Sequence, residues 1–141
     1  MAMLLTDEQN MLRDSARSFL QGSAPIDQLR RLRDDASSDG YERSTWRSMV
    51  ELGWAGVLIP EEHGGVAMGH VAAGVIAEEM GRTLTASPFL STAVMGAVAI
   101  ANNGSASQRA HWLPTFADGS INVAVAVDEY RSHSPTLVST T

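Results

Sequence analysis

Apolar residues recur at helical spacing along most of the chain, and the intervals between them carry helix start and stop signals. Thr6-Asp7-Glu8-Gln9 places a hydroxyl three positions before a glutamine, the pattern by which a helix caps its own free N–H groups. Met11, Leu12, Ser15, Phe19 and Leu20 then form a stripe on one face, with Gly22 as the predicted stop. Residues 26–33 form a short amphipathic piece, and the polar stretch from Asp34 to Gly40 reads as a loop. A second capped helix is predicted from Ser44 to Leu52, with Trp46, Met49 and Val50 inward and Gly53 ending it.

A further helix is expected from Gly69 to Gly81, where Val71, Ala72, Val75, Ile76 and Met80 recur at helical spacing. Gly69 and Gly74 on it would permit close approach of a neighbour. The next helix, Pro88 to Ala101, lies in a run from Thr83 to Gln108 without a charged residue. Its apolar core is too short and too interrupted by Ser87, Ser91, Thr92 and Asn102 for a membrane span, which needs roughly 20 apolar residues. It is predicted to be buried on all sides of a bundle. Gly104 and Ser105 give a stop and a new cap, and Ser105 to Ala117 forms the last helix, with Pro114 expected to distort or shorten its final turn.

After Gly119 the period changes. Ile121 to Val127 alternates large and small residues in a β-rich composition and reads as a strand. No second segment of comparable strength is present to pair with it, so it needs partners from another molecule or from further chain. The pattern therefore predicts an all-α fold, a bundle of about five to six helices, followed by one orphan β-strand.

Composition narrows the chemistry. Sixteen acidic residues against ten basic ones give a net charge of −6 over 141 residues, which argues against a nucleic-acid or anionic-membrane partner. With no cysteine, disulfides, thiolate metal sites and cysteine nucleophiles are excluded. All ten basic residues are arginine, so Schiff-base and P-loop lysine chemistry is excluded too. The N-terminus has no basic segment and carries Asp7 and Glu8, so neither a secretory signal nor a mitochondrial presequence is expected and the cytoplasm is the expected compartment.

Few residues suggest a reaction. His63, His70, His111 and His133 are scattered without ligand spacing, and no metal site is expected. The neighbours Glu61-Glu62 and Glu78-Glu79 diverge rather than converge on one substrate. Arg30, Arg31 and Arg33 are offset by Asp34 and Asp35. The segment Trp54 to Gly65 is less ordinary: Pro60 pushes Ile59 towards an extended backbone, and Gly64 and Gly65 allow a sharp turn into the next helix.

Five segments occur together in order: Leu52-Gly53-Trp54, Ile59-Pro60-Glu61-Glu62-His63-Gly64-Gly65, Glu78-Glu79-Met80-Gly81-Arg82, Pro88-Phe89-Leu90, and Trp112-Leu113-Pro114 with Asp118-Gly119. From Leu4 to Asp128 the chain resembles the N-terminal helical domain of the acyl-CoA dehydrogenases. That resemblance implies a helical domain over residues 1–119, with residues 120–141 beginning a middle β domain. It implies FAD as cofactor, an acyl-CoA substrate oxidised to a 2-enoyl-CoA, and an electron-transfer flavoprotein as electron acceptor. A homo- or hetero-oligomer is implied as well.

Position by position, the resemblance assigns this chain little of the machinery. The catalytic base belongs to a C-terminal domain, so no catalytic residue is expected here and the chain alone is expected to be inactive. The family's flavin-side turn falls at Ala126, Val127 and Asp128, where Val127 or Asp128, depending on register, replaces the flavin-binding hydroxyl. The acyl-pocket wall falls at Ser87, Phe89, Leu90, Ala93 and Val94, with core packing and pocket lining both open for Phe89. Two other readings remain: a non-catalytic helical interaction module or subunit that pairs with a larger partner, and an acyl-binding protein without redox function.

Overall fold

The computed structural model describes residues 4–35 and 39–126. Six α-helices are described: α1 (Asp7–Ser23), α2 (Ile26–Asp34), α3 (Arg43–Glu51), α4 (Gly69–Thr83), α5 (Ala97–Asn103) and α6 (Ala106–Ala117). A π-helical segment, Phe89–Gly96, runs directly into α5, and short 3₁₀ turns cover Trp54–Gly56 and Glu61–His63. The all-α class is as expected, and no strand occurs among the described residues.

Helix α1 begins as its sequence dictates. The Gln9 amide donates to Thr6 Oγ1 at 3.2 Å and the Thr6 amide to Gln9 Oε1 at 3.0 Å, closing the capping box. The helix then passes through Gly22 and ends where the Ala24 amide meets the Leu20 carbonyl. Its buried line is Ala16 and Leu20, flanked by Leu12 and Phe19. Met11, 66% exposed, and Ser15 face solvent, so the apolar face is narrower than the sequence stripe.

Against that face lies α4, and the two helices share a buried charge. Glu79 on α4 is 1% exposed. It accepts two hydrogen bonds from Arg17 on α1, Nε to Oε2 at 3.0 Å and Nη2 to Oε1 at 2.8 Å. Arg82 Nε adds a third at 3.2 Å, while Arg82 Nη2 reaches Glu78 at 3.0 Å. Two guanidinium groups thereby satisfy a carboxylate that could not otherwise stay ionised in the core. The hydrogen bonds from Arg17, opposed by desolvation and aided by its charge, hold the Glu79 carboxyl below its ordinary value of 4.5. A Cβ placed on Gly69 or Gly74 would meet nothing within 4 Å, so the close approach expected there does not occur.

Helix α3 starts at Arg43, one residue earlier than expected, and Glu42 at its cap makes no side-chain capping bond. Gly53 ends it in the left-handed conformation at φ 79°, as its position predicts. Residues 56–68 then fold back on themselves: the amides of Val66, Ala67 and Met68 donate to the carbonyls of Gly56, Ile59 and Val57. A Cβ at Gly65 would overlap the Ile59 carbonyl, so that close approach requires glycine.

Two apolar clusters form the core. The larger joins α1, α3 and α4 through Leu20, Met49 and Ile76, and it receives Phe89 and Ala93 from the π-helix. Phe19 meets Trp54 edge to face, with ring centroids 5.4 Å apart. The smaller cluster packs Ile59, Ala97, Leu113 and Phe116. The uncharged stretch is not buried on all sides, because Leu90, Met95 and Ala99 are exposed. Pro114 leaves α6 intact as far as Ala117, and the helix opens with a second capping box, Ser105 with Gln108. Proline removes one amide donor, a loss that packing of Leu113 and Phe116 on either side outweighs.

The Glu79 assembly gives a sign-defined pH dependence. Its depressed carboxyl contributes stability fully present above the ordinary glutamate value of 4.5, lost as pH falls through the lower folded value. Replacing Arg17 with methionine leaves Arg82 alone to balance a buried charge and should cost about 2–3 kcal/mol at neutral pH. Glu79→Gln should cost less, about 1–2 kcal/mol. Urea denaturation at neutral pH and in acid tests this, with the gap between wild type and Glu79→Gln closing in acid.

Candidate functional site

After α4 the chain must reverse, and two clefts of the described surface border the reversal. Leu84 adopts the left-handed conformation at φ 52°, which costs a branched side chain about 1 kcal/mol or more and is unusual without glycine. The Thr83 and Thr85 hydroxyls bond to each other at 2.6 Å. Ser87 Oγ accepts from the Phe89 amide at 3.3 Å, and Ser91 Oγ donates to the Pro88 carbonyl at 3.1 Å. These local bonds start the π-helix.

Two clefts meet at this reversal. One, of about 250 Å³, lies between α4 and the turn and is lined by Met80, Gly81, Leu84, Ser87, Phe89 and Leu90 among others. The other, of about 470 Å³, is lined by Tyr41, Ser87, Pro88 and Ser91 on one side and Asn122, Val123 and Ala124 on the other. Ser87 borders both. The linings are apolar groups, hydroxyls and the Asn122 amide, with no carboxylate or imidazole among them.

The pocket-wall residues read from the sequence divide into two sets. Ser87, Phe89 and Leu90 line the smaller cleft. Phe89 and Ala93 belong to the main core, with Val94 packed against it. Leu90, 61% exposed, stands at the rim. On the flavin side, Ala126 is exposed and lines neither cleft, while Val127 and Asp128 lie outside the described residues.

Residues 121–126 make no ladder, and side chains anchor them instead. Asn122 Nδ2 donates to the Tyr41 hydroxyl at 2.9 Å, and the Val123 amide donates to Thr92 Oγ1 at 2.9 Å. Neither Tyr41 nor Thr92 was legible as a site residue, since each bond spans a separation in sequence that no local pattern encodes. The unbroken absence of charge around Thr92 was the available signal.

The remaining candidates stay apart. His63 lies 3.5 Å from Glu62, His70 and His111 are exposed, and His133 is outside the described residues. Among the described residues no group of three potential metal ligands forms, and no helix is long and apolar enough to cross a membrane. Arg30 pairs with Asp27 and Arg33 with Asp34, so the basic run is largely offset locally.

Residues 6–120 match the family described as Acyl-CoA dehydrogenase, N-terminal domain. Acyl-CoA dehydrogenase FadE12 of Mycobacterium tuberculosis is 35% identical over 98 residues, which is 68% of this chain and 25% of that protein. The solved structure of the Tcur3481-Tcur3483 steroid ACAD gives a TM-score of 0.77 at 34% identity, covering 88% of this chain and 33% of its own. An acyl-CoA dehydrogenase from Bacillus anthracis, solved in complex with FAD, gives a TM-score of 0.77 at 25% identity, over 91% of this chain and 22% of the other. The chain belongs to the acyl-CoA dehydrogenase family, and it spans between 22% and 33% of the length of these proteins.

Phe89 and Leu90 are adjacent and border the same cleft, but Phe89 is buried in the core and Leu90 is exposed. Phe89→Ala should lower stability by about 3–5 kcal/mol through loss of buried area and the cavity left behind. Leu90→Ala should change it by less than about 0.5 kcal/mol. Thermal denaturation of the two variants checks the contrast.

Proposed function

We propose that this chain is the N-terminal helical part of a flavoenzyme that oxidises an acyl-CoA thioester to a 2-enoyl-CoA. The observation that carries the reading is the family match over residues 6–120, joined to a cleft walled by Ser87, Pro88 and Ser91. In this reading residues 1–119 are the helical domain and residues 120–141 begin the middle β domain. Ser87, Phe89, Leu90, Ala93 and Val94 form or back one wall of the acyl pocket, the last two by filling the core behind it. An apolar wall with few polar groups suits a hydrocarbon chain.

FAD is the cofactor of this reading, supported by the relative solved in complex with it. When bound it supplies the hydride acceptor for the β carbon, and electrons then pass to an electron-transfer flavoprotein. The part played by this chain is to wall the acyl group and exclude water, since no acid or base lines either cleft. Assembly with further copies or a second subunit is part of the proposal, supported by the paired name of the steroid ACAD neighbour.

The test combines intact mass, flavin absorbance and dye-coupled oxidation of a set of acyl-CoA thioesters. A preparation of the 15.0 kDa chain alone should show no turnover, whereas the full polypeptide or assembly should be yellow and active. Turnover by the 15.0 kDa chain alone would overturn the assignment of the base to another segment. A colourless, inactive assembly would favour a non-catalytic module.

A further inference from the structure

Thr92 occupies the middle of the π-helix with its residue fully buried. A threonine inside a helix ordinarily turns its hydroxyl back to a carbonyl in the preceding turn. Here the carbonyl four residues back, on Pro88, already accepts the Thr92 amide at 2.8 Å and Ser91 Oγ at 3.1 Å. The Thr92 hydroxyl instead reaches across to Val123, 31 residues on. It accepts from the Val123 amide at 2.9 Å and donates to the Val123 carbonyl at 3.4 Å. One hydroxyl thus engages both backbone groups of a residue that has no ladder partner to satisfy them.

The local geometry suits this task. In the widened helix the Ala97 amide reaches the Thr92 carbonyl five residues back, a geometry that recurs at functional sites. Gly96 supplies a second, independent constraint, because a Cβ there would overlap the Val123 side chain. Val123 is therefore held by hydrogen bonding at Thr92 and by shape at Gly96. With Ala124, it forms the wall of the 470 Å³ cleft that faces Ser87, Pro88 and Ser91.

We infer that Thr92 is a positioning residue: by clasping Val123 from inside the π-helix it sets the width of this cleft, and so the girth and branching of the acyl chain admitted. The specificity part rests on the acyl-pocket reading proposed above. The clasp itself rests only on the Thr92, Gly96 and Val123 contacts.

Three variants separate the clasp from ordinary packing. Thr92→Val keeps the side-chain shape and removes the hydroxyl, Thr92→Ser keeps the hydroxyl and removes a methyl, and Gly96→Ala displaces Val123 sterically while leaving the hydroxyl in place. In the 141-residue chain, hydrogen exchange at the Val123 amide should accelerate roughly tenfold in Thr92→Val, the loss of one hydrogen bond. It should stay near wild type in Thr92→Ser, with the Leu20 amide unchanged in both as a control for folding. In the complete flavin-loaded enzyme, Thr92→Val and Gly96→Ala should raise KM for straight-chain relative to branched acyl-CoA by roughly threefold to tenfold with a smaller effect on kcat. Thr92→Ser should restore the wild-type ratio.

Wild-type exchange at Val123 in Thr92→Val would overturn the clasp, and so would equal effects of the valine and serine variants. If Thr92→Val does not fold, Gly96→Ala carries the same test, and an unchanged straight-to-branched ratio in it sinks the specificity role. Failure of the unaltered complete enzyme to oxidise any acyl-CoA would remove the catalytic reading and the acyl specificity with it. The exchange data would still decide whether Thr92 holds Val123.

Discussion

A single buried carboxylate governs how this domain is put together. Glu79 lies in the face of α4 that packs on α1, where an unpaired charge could not remain ionised. Arg17 can reach it in a two-bond fork only if α1 runs along α4 at the observed height. The pair therefore specifies register more than it adds stability, since desolvation offsets much of the attraction. Once α1 is fixed in this way, Ala16, Leu20 and Phe19 meet Trp54 and Ile76, and the larger core closes.

That core is the floor on which the concave surface stands. Phe89 and Ala93 are drawn into it from the π-helix, which leaves Leu90 on the outside and Ser87 at the junction of two clefts. The reversal before them is tight enough to force Leu84 into a left-handed conformation. On the other side, the 56–68 loop closes over Ile59 because Gly65 has no side chain, and Ile59 then roots the second cluster under α5 and α6. The π-helical wall of the larger cleft thus rests on the larger cluster, and Val123 on its other wall packs against the smaller one.

The two clefts offer apolar surface, hydroxyl groups and the Asn122 amide, with no carboxylate or imidazole among their lining residues. In the reading proposed above, the part of this domain is to contribute shape. The anchoring of residues 122 and 123 on Tyr41 and Thr92 shows how such shape is made rigid without a sheet.

The sequence by itself determined the helices, because capping boxes at Thr6 and Ser105 and the glycine stop at Gly53 are local devices whose energetics depend on neighbours within a turn. It also carried the family resemblance through short ordered segments. It misjudged which faces are covered: Met11 and Ser15 turn outward, Gly69 and Gly74 stand clear, and the uncharged stretch exposes Leu90 and Met95. Periodicity reports that a face is apolar, but not what lies opposite it. Nor could it show that Glu79 finds Arg17 or that Thr92 holds Val123, contacts 62 and 31 residues apart in sequence. Those pairings exist only because tertiary packing removes water from one partner and brings the other within hydrogen-bond reach, and they decide where the walls of the cleft stand.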